Sequence, residues 1–124
     1  MKHQPIGPGL HGLMDYGFMT MHLLAPTVLK LDTSASALSY SFAGLAGSLA
    51  GLTDQPYAVQ RVIPFKTHGA IETAVLPTIL LLPLLTGDLK KPKARAFFLA
   101  SFGMALANFL LTDFKGKNRK TANR

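Results

Sequence analysis

The sequence predicts an all-α integral membrane four-helix bundle built from two tandem helical hairpins. Three observations carry this expectation. Charge is scarce: of 124 residues, 48% are hydrophobic and only 15% charged, against roughly 25% in an ordinary soluble domain. The stretches between the charges are each close to the ~20 residues that a helix needs to cross about 30 Å of hydrocarbon. The two halves of the chain also repeat one another in register.

The segment before the first span, Met1 to Gly9, carries Lys2, Pro5 and Pro8 but no short apolar core with a cleavage site, so no removable signal peptide is expected. The first span runs from about Leu10 to Leu31. The second runs from about Ala35 to Thr53 and is rich in small residues, among them Gly44, Gly47 and Gly51; such residues suit a helix packed closely against others in a membrane. The third, about Thr67 to Leu85, contains Pro77 and Pro83, which bend or unwind a helix. The fourth covers about Ala94 to Thr112. None carries the Glu/Lys stripe of a soluble bundle helix. At 124 residues the chain is one domain, with a basic tail over 115–124. Lys115, Lys117, Arg119 and Lys120 of that tail are expected to meet anionic lipid headgroups.

Charge bias orients the spans. Lys2, Arg61, Lys66 and the five basic residues of the tail lie on the side of both termini. Lys30, Lys90, Lys91, Lys93 and Arg95 lie on the other. The excess places both termini in the cytoplasm, in a multi-pass protein of the cell's inner (plasma) membrane. The composition points away from nucleic acid, whose binders spread their charge along the chain. With no cysteine, disulfide frameworks and thiol nucleophiles are excluded. No phosphate-binding glycine loop or Ser–His–Asp order is present, so no enzyme class is indicated.

The duplication is the most informative feature. His11-Gly12-Leu13-Met14-Asp15 is matched 57 residues later by His68-Gly69-Ala70-Ile71-Glu72, and Pro26 by Pro83. Further on the offset becomes 59: Gly44 falls on Gly103, and Leu52-Thr53-Asp54 on Leu111-Thr112-Asp113. The repeats cover about 6–57 and 63–116. Each crosses the membrane twice, so a pseudo-two-fold axis along the membrane normal is expected to relate them. In size and layout the chain resembles the small, duplicated, proline-marked bacterial membrane proteins of the SPW-repeat type. Ala25-Pro26-Thr27 and Leu82-Pro83-Leu84 stand nearest to the Ser-Pro-Trp signature, which a chain without tryptophan lacks. The resemblance implies an architecture and no catalytic residues.

The repeat gathers the chemistry. His11 and Asp15 are four residues apart and share a helix face, as do His68 and Glu72. Asp54 and Asp113 close the second and fourth spans on the same side of the membrane. Ionisable groups at such depth are expensive and point to function. Three readings follow. Each His pairs with its own carboxylate as a structural tie. Alternatively, His11 and His68, with Asp15 and Glu72, hold a divalent metal, or they hold a haem that Gly12 and Gly69 let approach. In the third reading the same groups conduct protons or ions, with His22 extending the path, since it lies about 16 Å further along the same helix face. His22 is expected to bond Tyr40, Ser41, Ser48 or Asn108, and Pro26 leaves its carbonyl without a helical donor. The favoured function is a small membrane protein binding metal or haem at the cytoplasmic edge, beside transport and structural-subunit alternatives. The partners expected are lipid and either a second copy or another membrane protein.

Overall fold

The computed structural model describes residues 4–115, and all regular structure among them is helical. Helix α1 spans Pro8–Val28 and α2 spans Thr33–Leu52. The third rod is interrupted: α3 covers Phe65–Val75 and α4 covers Thr78–Thr86. A single 3-10 turn, Asp88–Lys90, leads to α5, Pro92–Leu111. The four expected rods are thus present, with ends within a few residues of those read from charge spacing.

Local chemistry sets most of these ends. Pro8 and Pro92 open α1 and α5, at the helical position where proline's missing N–H costs nothing. Asp32 caps α2, its carboxylate accepting from the Ala35 N–H at 3.0 Å. Gly87 closes α4 with φ of 86°, a left-handed conformation in which a Cβ would be strained. Leu76 and Pro77 keep helical torsions, but Pro77 has no N–H to continue the ladder, and the rod breaks there.

Helix α1 packs on α2 and α5, and α4 packs on α2 and α5. Between them lies one apolar core that includes Ala35, Phe42, Leu76, Ile79, Phe97 and Phe98. Two rods, Phe65–Thr86 and Pro92–Leu111, are long and apolar enough to cross a membrane. Helices α1 and α2 fall short of that measure, although four spans were expected. His11, Asp15 and His22 lower the apolar content of α1, and serine and glycine that of α2.

Each end of the bundle is tied by polar contacts. At one end the chain before α1 pairs with the residue after α5 (Ile6 with Thr112), and the chain before α3 pairs with the residue after α2 (Ile63 with Thr53). At the other end, buried Asp88 accepts from Ser34 Oγ at 2.8 Å, Thr86 Oγ1 at 2.6 Å and Lys91 Nζ at 2.6 Å. Lys91 also bridges to Asp32, so the α1–α2 and α4–α5 connections are joined. Hydrogen bonds from Lys91 hold the Asp32 carboxyl below its usual range. Burial pushes the Asp88 carboxyl up, but hydrogen bonds from Lys91, Thr86 and Ser34 outweigh it and hold it low.

Candidate metal centre

His11 and His68 stand in the first turns of α1 and α3, each five residues after the bridged residue, Ile6 or Ile63, that anchors its helix start. Asp15 and Glu72 follow one turn later on the same faces. The segment entering α1 bridges the end of α5 and the segment entering α3 bridges the end of α2, and at that end of the bundle the four side chains converge. Both imidazoles are buried, with ring centroids 5.0 Å apart and planes at 86°. Their Nε2 atoms approach to 3.2 Å.

The carboxylates do not serve their own histidines alone. His11 Nε2 lies 3.3 Å from Asp15 Oδ2 and 3.3 Å from Glu72 Oε2. His68 Nε2 lies 3.1 Å from Asp15 Oδ2 and 3.3 Å from Glu72 Oε2. Of the readings considered, the one in which each histidine pairs only with its own acid does not hold: each acid meets both rings. All four ligand atoms fall within 4.8 Å of one another.

A threonine fixes each ring from behind. Thr112 Oγ1 donates to the Asn108 carbonyl at 2.5 Å, and Thr53 Oγ1 donates to the Leu49 carbonyl at 2.5 Å. With the hydroxyl protons committed, each oxygen accepts from an imidazole Nδ1–H: His11 to Thr112 at 2.7 Å and His68 to Thr53 at 2.7 Å. That assignment leaves each Nε2 facing the two carboxylates, to which a protonated ring donates and beside which a neutral ring presents a lone pair. With both rings neutral, four acceptors surround one point, an arrangement that can hold a cation.

Distances discriminate between the groups considered. A tetrahedral ion with bonds of about 2.0–2.1 Å has ligand-to-ligand edges of about 3.3–3.4 Å. Five of the six edges here measure 3.1 to 3.3 Å. A bis-imidazole haem needs its two nitrogens about 4 Å apart, twice a ~2 Å metal–nitrogen bond, with the porphyrin between them. No such slot exists at 3.2 Å. The glycines expected to admit a flat ring are covered instead: a Cβ on Gly12 would strike the Gln55 amide, and one on Gly69 would lie 2.8 Å from the Phe114 ring. Haem does not fit these residues.

Other expectations fall differently. Asp54 does not join the cluster; it is exposed and faces Arg61 Nε at 3.9 Å. The Asp113 carboxylate accepts from the Lys115 backbone N–H at 3.0 Å and stands outside the four-ligand group. The residue before each aspartate reaches inward, because the chain leaves the helix in extended conformation at Thr53 and Thr112. His22 bonds none of the partners expected for it. Its Nδ1–H donates to the Phe18 carbonyl at 2.9 Å, its Nε2 accepts from Ser101 Oγ at 3.0 Å, and its own carbonyl, freed by Pro26, accepts from Ser39 Oγ at 2.7 Å. Phe18 stacks on it at 4.0 Å. Lys115 is exposed, while Lys117, Arg119 and Lys120, like Lys2 and Arg124, lie outside the described residues.

Beneath the cluster is a cavity of about 80 Å³, reached by Asp15, Glu72 and Asn108 at its polar end and otherwise apolar. His22 does not line it; Phe18 and Phe42 do. No family model, curated protein or solved structure matches this chain.

Proposed function

We propose that this chain is a four-span membrane protein of two tandem hairpins, in which His11, Asp15, His68 and Glu72 bind one divalent metal ion at the cytoplasmic edge. The convergence of two imidazole nitrogens and two carboxylate oxygens, with five of their six separations at 3.1–3.3 Å, carries the reading, and the nitrogen–oxygen donor set favours zinc. Four protein ligands fill a tetrahedral ion, which is the arrangement of a structural or holding site and leaves no position open for a reacting water. Charge supports the same view. Two carboxylates balance a dication, so the bound ion would leave the buried cluster neutral.

The tandem arrangement is supported by reciprocity. His11 is anchored by Thr112 and His68 by Thr53, so the end of each half's second helix serves the other half's histidine. Likewise Ile6 bridges to Thr112 and Ile63 to Thr53. Membrane insertion is supported by the two apolar rods and by the exposure of Leu23, Leu24, Val28, Leu84, Leu85, Leu99 and Leu110, a surface that water tolerates poorly.

Elemental analysis of protein purified in mild detergent tests the metal reading. One transition-metal ion per chain is expected in the wild type, and less than about a tenth of that in His11→Ala or His68→Ala. A wild type that stays metal-free after incubation with zinc would overturn it, as would variants that keep their metal. Reporters at Asp88 and after Arg124 should lie on opposite sides of the membrane, with the latter cytoplasmic.

A further inference from the structure

We propose that the cavity beneath the cluster binds a small, neutral, hydroxyl-bearing amphiphile that enters from the bilayer; this rests on reading the cluster as a metal site. The hydroxyl would sit between Glu72 and Asn108 and donate its one proton to one of their free oxygens, with the carbon chain directed away from the ion.

The first argument is a pair of orphaned acceptors. Glu72 Oε1 and Asn108 Oδ1 are buried and have no hydrogen-bond partner among the described residues. Both residues line the cavity. Buried polar atoms left unpaired are rare and costly, so whatever fills the space at this end must donate. The amide orientation is fixed, because Asn108 Nδ2 donates to Asp15 Oδ1 at 3.4 Å, and that leaves the oxygen as the free group.

The second argument is the wall. Phe18, Phe42, Leu49, Leu76 and Ile79 make the remaining surface almost wholly apolar. Water alone would satisfy the two acceptors but would leave the rest of the cavity wet against hydrocarbon, where water has no partners. An amphiphile serves both ends. The mouth is formed by Met14, Leu45 and Met104, which line the cavity and are also exposed, at 38%, 42% and 50%. In a membrane-spanning bundle these face acyl chains, so the route in is lateral. Flexible methionines at a mouth adapt to varied chains.

The third argument is charge. With a dication bound, Asp15 and Glu72 leave the site neutral overall, so an ammonium gains little there and loses its hydration. A hydroxyl donates without that cost. Size limits the buried part. An engineered cavity of about 150 Å³ holds benzene, and this one of about 80 Å³ accepts the head and the first carbons of a chain whose remainder passes the mouth.

The test uses the full chain in nanodiscs made with deuterated lipid, with 1-butanol and butylammonium as probes, followed by saturation-transfer NMR. Metal content is measured on the same sample and reports on the metal reading independently. Saturable 1-butanol binding in the millimolar range is expected for so few atoms. Ala105→Leu, which fills the cavity without touching a ligand, should weaken that binding at least tenfold and leave metal content unchanged. Three results would each overturn the proposal: no saturable 1-butanol binding to wild type, equal binding to wild type and variant, or butylammonium binding as tightly as 1-butanol. Because the first and third need no variant, a misfolded Ala105→Leu would not protect it.

Discussion

Replacing Thr112 by valine tests the metal centre without touching a ligand. Valine keeps the shape of threonine, so the loss is confined to Oγ1, which accepts the His11 Nδ1–H at 2.7 Å. In the metal-bound state the imidazole must keep its proton on Nδ1, and that buried N–H would then have no acceptor, at a cost of about 1–3 kcal/mol. The empty protein escapes the cost, because the ring can move its proton to Nε2 and donate to Asp15 or Glu72, both 3.3 Å away. The penalty therefore falls on binding, and metal affinity should drop about 10- to 100-fold. Thr53→Val should do the same to His68, whose Nδ1 contact is also 2.7 Å. Competition with a chromogenic chelator in detergent measures both. Unchanged affinity in either variant would refute the assignment of the Nδ1–H donors. A difference of more than tenfold between the two would refute the equivalence of the two histidines.

Other expectations follow from the same contacts. Gly12→Ala should lower thermal stability by about 1–3 kcal/mol, because Gln55 must give up bonds to the Ala50 carbonyl and the Tyr57 N–H. Gly69→Ala should cost less, since the half-buried Phe114 ring can shift; equal melting temperatures would contradict this ranking. His22→Ala should destabilise by about 2–4 kcal/mol, emptying space beside Phe18, Phe42 and Phe97, yet leave metal content unchanged by elemental analysis. The margin by which wild type exceeds Lys91→Met in thermal scans should depend on pH. The Asp32 and Asp88 carboxyls are held low in the folded protein, so the margin is full above about pH 5 and shrinks as pH falls below about 4 and through the lowered folded values. A margin that grows in acid would refute that sign.

The rods were legible because charge is scarce and interruptions in hydropathy mark ends; Pro77 likewise declares the break in the third rod. The four clustered residues were legible through a repeated i, i+4 pattern, which one helix alone specifies. What helical spacing cannot encode is the partner across the bundle, so the sharing of both acids by both rings appears only in three dimensions. Asp54 and Asp113 drew notice because they are charged, while the adjacent Thr53 and Thr112 do the anchoring. The repeated Leu-Thr-Asp register contains that signal, read one residue off. Gln55 and Phe114, which cover the two glycines, share no chemistry, and only their common offset links them. His22 shows the same limit: its bond to Ser101 spans most of the chain.

The crossed anchoring also bears on how such a chain matures during synthesis. All four ligands have been made once Glu72 leaves the ribosome, but the hydroxyl that orients His11 belongs to Thr112, beyond the last helix. A nascent chain lacking α5 can present His68 correctly and His11 only loosely. If the cluster holds a metal as proposed, tight capture would wait until α5 is in place and Ile6 has met Thr112. On the proposed metal reading, occupancy of the centre would mark a molecule whose last helix is in place.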